Sequence, residues 1–229
     1  MSVTLERRIA TLEAQILPQP QVEVPTAVEL LRTVGLEPDP WQVQVAQSQA
    51  DRMLLCCARQ SGKTQVSASV ALAAAMAEPG SLILVLSASL RQSQESFRDV
   101  LDLYKPWVGQ VPPYAESALR LELTNNSRIV SLPGQESSIR GYSKVRLLLV
   151  DEAARVPDAL YYSVRPMLAV SAGRIMALST QWGKRGWFFK EWTSGGDWQR
   201  VMVTAYDCPR ISPQFLEEER RTLPNLWFQ

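Results

Sequence analysis

The sequence predicts an α/β protein with a mostly parallel sheet flanked by helices, and three observations predict it. Five short apolar runs alternate with helical stretches, as in strand–helix units. Three of these runs, Leu82 to Leu86, Val145 to Val150 and Arg174 to Leu178, are nearly all apolar, which suits central parallel strands covered on both faces. The first run, Met53 to Ala58, leads into Arg59-Gln60-Ser61-Gly62-Lys63-Thr64 and an Ala-rich helix that reaches about Glu78. That is the strand–loop–helix setting of a phosphate-binding loop.

Taken in order, Leu5, Ile9, Leu12 and Ile16 recur at helical spacing and stop at a stretch containing Pro18, Pro20 and Pro25, which predicts a short helix and a linker. A second helix is expected from Thr26 to Val34, with Gly35 as its stop, and a third from Trp41 to Gln49 after Pro40. Between the second and third apolar runs, Leu119, Leu121 and Leu123 alternate with polar residues, Thr124 to Ser127 turn, and Ile129 and Val130 follow, which predicts an inserted β-hairpin. The fifth run, Arg200 to Ala205, is the last strand. The tail from Ile211 to Gln229 is charged and then aromatic. No internal repeat is visible.

Composition narrows the chemistry. The 229 residues are 46% hydrophobic and 21% charged, an ordinary balance for a folded domain with a real core. The longest unbroken apolar run, Val70 to Ala77, is too short to cross a bilayer, and Glu6, Arg7 and Arg8 precede any signal-like stretch, so a soluble, unsecreted protein is expected. The three cysteines, Cys56, Cys57 and Cys208, lack zinc-ligand spacing and suit a reducing compartment. The absence of histidine excludes Ser-His and Cys-His hydrolases and His-ligated metals. A net charge of +1 neither requires nor forbids a nucleic-acid partner.

The chemistry-bearing residues fall at the ends of the predicted strands. In the loop, backbone amides of Arg59, Gln60, Ser61 and Gly62 would face a β-phosphate, Lys63 would reach the β/γ oxygens and Thr64 would ligate Mg²⁺. Cys57 stands where the first glycine of G-x-x-x-x-G-K-[ST] would be, so this is a degenerate Walker A, and the bare Gly-Lys-Thr also fits an ordinary turn and helix start. Leu147 to Val150 lead into Asp151 and Glu152 at the carboxyl end of a buried strand, where open α/β sheets bind ligands. Asp151 is the candidate Mg²⁺ holder and Glu152 the candidate that orients or deprotonates the attacking water. Ser179 and Thr180 end another strand, as sensors of the γ-phosphate or as a plain turn. Trp41 and Gln42 offer an aromatic ring and an amide that can pair with an adenine edge, or simply start a helix. Arg59, inside the loop, can meet γ-phosphoryl charge in cis.

The ordered set Pro40-Trp41-Gln42, Ala58 to Thr64, Ser138-Ile139-Arg140-Gly141, Leu148 to Ala153 and Leu178-Ser179-Thr180 resembles the ATPase domain of the large terminase subunit, the DNA-packaging motor of tailed bacteriophages. The resemblance covers roughly residues 36–229, and a degenerate Walker A with an early Arg is typical of that family. It implies a RecA-like, ASCE-type P-loop ATPase using ATP and Mg²⁺, with Glu152 as catalytic glutamate and Arg140 as an arginine finger facing the next subunit. It also implies double-stranded DNA, a portal protein and a small terminase subunit as partners, a homo-oligomeric ring on the procapsid portal in the host cytoplasm, no membrane, and an RNase H-like nuclease domain further along.

The expected division is 1–35 for N-terminal helices and linker, 36–205 for the ATPase core, and 206–229 for a lid or linker. No Asp-rich nuclease constellation follows it, so the fragment is expected not to cut DNA and to be mostly monomeric. Arg91, Arg98, Lys105, Lys184, Arg185 and Lys190 are candidates for DNA-backbone contacts, or ordinary solvated charges. Two other readings share many of these residues. One is a fragment of a superfamily 2 helicase-like translocase, which needs a second RecA-like domain. The other is a non-catalytic nucleotide-binding assembly module, which has no need of Glu152.

Overall fold

A computed structural model describes residues 24–133, 139, 141–194 and 196–222. The expected helix from Leu5 to Ile16, together with Ser138, Arg140 and the aromatic end of the chain, lies outside those residues. Helix α1 (Ala27–Thr33) starts with a reciprocal cap: the Glu29 amide donates to Thr26 Oγ1 at 3.2 Å and the Thr26 amide donates to Glu29 Oε2 at 2.7 Å. Gly35, at φ +79°, follows its end. Helix α2 (Pro40–Gln47) begins on a proline, whose missing N–H costs nothing at that position.

The other strands and α-helices among the described residues are β1 (Arg52–Cys57), α3 (Lys63–Ala77), β2 (Leu82–Ser87), α4 (Leu90–Tyr104), β3 (Pro113–Ser117), β4 (Arg120–Leu123), β5 (Arg128–Pro133), β6 (Val145–Asp151), α5 (Asp158–Val164), α6 (Pro166–Ala169), β7 (Arg174–Ser179), α7 (Gly186–Thr193), β8 (Gln199–Val203) and α8 (Pro213–Thr222). The eight strands form one sheet in the order β3-β4-β5-β2-β6-β7-β1-β8. All neighbours from β5 to β8 pair parallel, and only β3-β4 and β4-β5 are antiparallel. This is the mostly parallel α/β sheet of a RecA-like P-loop protein.

The predicted hairpin is β4-β5, but it is not a separate insert. Its second strand pairs parallel with β2 from Leu82↔Arg128 to Ser87↔Pro133, so the hairpin extends the main sheet. Strand β3 was not legible in the sequence. It is a largely exposed edge strand beginning at Pro113, and proline is tolerated at such a position because an edge strand has a free amide side.

Alternate strand residues supply two cores. Met53, Leu55, Ile83, Val85, Leu147, Leu149, Met176 and Leu178 meet α1, α2, α3 and α4 on one face. Leu54, Leu84, Leu148, Val150, Ile175 and Ala177 meet Tyr161, Trp187 and Phe188 on the other. Each such side chain contributes on the order of 1.5–3 kcal/mol, which fixes the register because a one-residue slip would exchange the faces. Leu30 and Leu31 of α1 belong to the first core, so this helix is part of the α/β body. Cys208 is buried in that core too, which anchors the start of the segment after β8.

The crossing from α6 to β7 is tight. A Cβ on Gly173 would collide with the carbonyl oxygen of Val145 and lie against Leu168. Gly173→Ala is therefore expected to cost about 2 kcal/mol and to lower the thermal midpoint by roughly 4–8 °C, read by calorimetry. An unchanged midpoint would mean that the backbone yields at this crossing.

Candidate nucleotide-binding and catalytic site

The loop between β1 and α3 carries backbone conformations suited to binding an anion. Gln60 and Gly62 both adopt left-handed conformations, at φ +58° and +88°, and Gly62 caps the N-terminus of α3. Alternating left- and right-handed residues turn successive amides toward one point, and the helix end adds its partial positive charge. Cys57, at the first-glycine position, is the last residue of β1, buried and paired with Val203 of β8. Burial pushes its thiol up to about 12.

Across the cleft, β6 delivers Asp151 and Glu152. The Asp151 carboxylate accepts from Ser96 Oγ at 2.8 Å and from the Glu152 amide at 2.9 Å, which locks its orientation. Burial raises its pKa, opposed by the nearby Lys63 charge and by the Ser96 hydrogen bond. Glu152 is held at φ +49°, a conformation that costs a non-glycine residue on the order of 1–2 kcal/mol. That turn aims its carboxylate at Lys63, with Nζ to Oε1 at 2.9 Å, while Thr180 Oγ1 donates to Oε2 at 3.4 Å and Arg155 Nε lies 3.8 Å from the same oxygen. Lys63, Thr64, Asp151 and Glu152 share a cavity of about 380 Å³ with Gln92, Glu95, Ser96, Arg98 and Asp99 of α4. A second cavity, of about 430 Å³, also touches Lys63 and Thr64 and is lined by Leu36, Gln60, Ser61, Gly62, Gln65 and Arg210.

The other residues singled out from the sequence are placed differently. Arg59 is exposed at the start of the loop. Ser179 is fully buried, and its hydroxyl accepts from the Ala154 amide at 3.3 Å, so of the strand-end pair it is Thr180 that reaches Glu152. Trp41 packs into the first core. Gln42 is 2% exposed, and both ends of its amide are engaged: Oε1 accepts from the Asp39 amide at 2.8 Å and Nε2 donates to the Gly62 carbonyl at 3.2 Å. In this conformation the amide braces the loop. Of the six candidate DNA-backbone cations, Arg91 and Lys105 pair with Glu95 and Asp102 on their own helix turn, Lys190 pairs with Asp158, Arg98 lines the first cavity, Arg185 flanks the Trp182 ring, and Lys184 is exposed.

Ser96, Asp99, Arg155, Asp39 and Arg210 were not identified from the sequence as site residues. Ser96 and Asp99 had a usable signal, being three apart on a helix that follows the carboxyl end of a central strand.

These elements bring a phosphate-loop candidate and two carboxylates together at the carboxyl edge of a parallel sheet. The sequence matches no protein-family model. The large terminase subunits of Thermus phage G20c and Thermus virus P23-45 are each 28% identical to it over 182 residues, covering 71% of this chain and 37% of theirs. The chain thus spans little more than a third of the length of these relatives. Among solved structures, the large terminase ATPase domain of Thermus phage P74-26 matches with a TM-score of 0.76 at 20% identity, over 93% of this chain and 96% of that one. The large terminase of bacteriophage D6E in complex with ADP matches with a TM-score of 0.70 at 16% identity, over 84% and 52%. The chain is similar to phage large terminase subunits and carries the fold of their ATPase domains.

One cavity-lining group bears on stability. Burial, with help from the negative charges of Asp102 and Asp151 and against the pull of Arg98, raises Asp99 to about 6. A raised carboxyl favours folding below its unfolded pKa of 3.8, and that contribution is lost as pH climbs through about 6. Without nucleotide or divalent metal, Asp99→Asn is expected to stabilise the fold by about 2 kcal/mol at pH 7–8, with the gain gone below pH 4. Urea unfolding across that range would expose the error if the gain were independent of pH.

Proposed function

We propose that this chain is the ATP-hydrolysing motor domain of a viral DNA-packaging terminase, coupling hydrolysis to the translocation of double-stranded DNA into a procapsid. The observation that carries the reading is the convergence of Lys63, Thr64, Asp151 and Glu152 on one cleft, with Lys63 and Glu152 in contact at 2.9 Å. Solved large terminases of bacteriophage D6E in complex with ADP and with ATP-γ-S support nucleotide as the ligand class.

In this reading the loop amides of residues 60–62 and the α3 N-terminus bind the β-phosphate, and Lys63 exchanges its Glu152 partner for γ-phosphoryl oxygens. Glu152, released, turns to the attacking water and accepts its proton, with Thr180 steadying its second oxygen. Arg59 meets γ-phosphoryl charge in cis. Gln42 would act on the nucleotide through the loop it braces, and Trp41 through the core beneath that loop.

The side chains present fit Mg²⁺. Among the described residues no cluster of three or more Cys, Asp or Glu could hold a metal alone, and Mg²⁺ on a nucleotide needs only one or two protein groups besides phosphates and waters. Thr64 and Asp151 line the same cavity. Ser87, one step past the Leu86↔Val150 pair and so beside Asp151, has a buried hydroxyl without a partner among the described residues, which a hydrated ion would satisfy. When bound, the ion would neutralise charge on the β- and γ-oxygens.

Arg140, outside the described residues, is proposed from sequence alone as the finger supplied to a neighbouring subunit. Double-stranded DNA, the portal, the small terminase subunit and a homo-oligomeric ring in the host cytoplasm belong to the same proposal. So does the absence of nuclease activity from this segment.

Two measurements test it. Glu152→Gln is expected to bind ATP as tightly as the parent or a few-fold more tightly, because the pair that phosphate must displace is gone, while turnover falls about 10³-fold. Lys63→Ala should bind no nucleotide. Turnover of Glu152→Gln at the parent rate would remove the catalytic base from the proposal. In addition, Arg140→Ala and Glu152→Ala, each inactive, should regain turnover when mixed under assembling conditions, because the second can lend its Arg140 to the intact Glu152 of the first. A mixture that assembles and stays inactive would rule out action in trans.

A further inference from the structure

A loop that turns its amides toward a bound phosphate must turn carbonyls away from it, and those carbonyls need donors of their own. Two are satisfied from outside the loop. The Gly62 carbonyl accepts from Gln42 at 3.2 Å, and the Ser61 carbonyl accepts from Arg210 Nη2 at 2.8 Å. The same guanidinium donates to both oxygens of Asp39, at 3.3 and 2.8 Å, and Asp39 adjoins the helix whose Gln42 braces the next residue of the loop. One residue of the chain after β8 thereby ties the entry of α2 to the phosphate loop. Gly62 leaves room for this bracing, since a Cβ there would lie 2.7 Å from Gln42 Nε2 and 3.2 Å from Arg210 Nη2 and would displace both.

From this geometry we infer that Arg210 is a positioning residue that holds the phosphate loop in its anion-receptive orientation, so that nucleotide binding and docking of the segment from Cys208 to α8 depend on each other. The inference rests on the nucleotide-site reading given above and adds a regulatory link to it. Arginine suits the task because its planar fork addresses the two Asp39 oxygens and a carbonyl at once, which an ammonium at a single point cannot do. Arg210 also lines the 430 Å³ cavity on the loop side of Lys63, so a nucleotide filling that space lies against the residue that fastens the segment. Linkage then runs both ways: if docking favours nucleotide, nucleotide favours docking by the same factor.

The test uses the whole chain with ADP and ATP as probes. Arg210→Lys is compared with the pair Asp39→Asn/Arg210→Gln, which removes both charges and leaves no uncompensated buried carboxylate. Calorimetric titration is expected to show both variants binding ADP roughly tenfold more weakly, the scale of one charge-assisted hydrogen bond, with KM for ATP raised and kcat within about twofold. Amide exchange over residues 211–222 should slow when the parent binds ADP and not change in the variants. If the variants melt earlier but bind ADP as the parent does, the role is structural only and the inference falls while the nucleotide site stands. If the parent itself binds neither ADP nor ATP, both fall.

Discussion

The Lys63–Glu152 contact, 2.9 Å long, joins residues from strands that are not neighbours, and much of the structure is the means of holding that distance. Lys63 opens the helix after β1 and Glu152 follows β6, with β7 lying between them. The pairs Leu55↔Leu178 and Asp151↔Leu178 show how one residue of the intervening strand sets the relative height of both ends. A slip of one residue in either ladder would carry a reacting side chain about 3.3 Å along the strand and turn it to the other face. The two apolar cores on opposite faces of the sheet make such a slip prohibitive, so the precision of the site derives from the packing of residues that never meet a ligand.

The electrostatics of the site follow from its burial. Side-chain exposure of Lys63 and Glu152 is only 14% and 16%, and Asp151 is more deeply covered still. Opposite charges in such a place are far more stable together than apart, so in the proposed reading Glu152, without a ligand, occupies the ground that a γ-phosphoryl group would take on Lys63. The carboxylate assigned to water activation is thereby held out of position until an anion replaces it. The left-handed backbone at Glu152 turns the side chain off the strand axis and toward Lys63.

What was legible in the sequence was whatever depends on short-range pattern. The central strands β2, β6 and β7 could be read because both faces are covered, and the hairpin because Leu121 and Leu123 alternate with polar neighbours and a turn follows. The exposed edge strand β3 has neither signal. Lys63, Thr64, Asp151 and Glu152 were legible as motifs, but the orientation of an amide was not. Gln42 carries the donor and acceptor that suit an adenine edge, and the structure commits both to Asp39 and Gly62, because a buried polar group takes the nearest partner. Arg210 was invisible for a different reason: its partners lie 171 and 149 residues away, beyond any local pattern.

The loop that resembles a degenerate Walker A shows what a glycine-rich motif physically requires. Cys57, at the first-glycine position, continues the β1 ladder beside Val203, and the amide of the next residue, Ala58, donates to the Val203 carbonyl at 2.7 Å. Extended backbone in a strand needs no glycine. The demand for left-handed backbone falls instead on Gln60 and Gly62. Gln60, an exposed residue, meets it at a cost of about 1 kcal/mol. At Gly62, itself left-handed at φ +88°, a side chain would in addition push aside the ends of Gln42 and Arg210 that brace the loop. The glycine that the loop keeps is therefore the one on which its bracing converges. At the first-glycine position, which Cys57 holds, the sheet rather than a phosphate dictates the backbone.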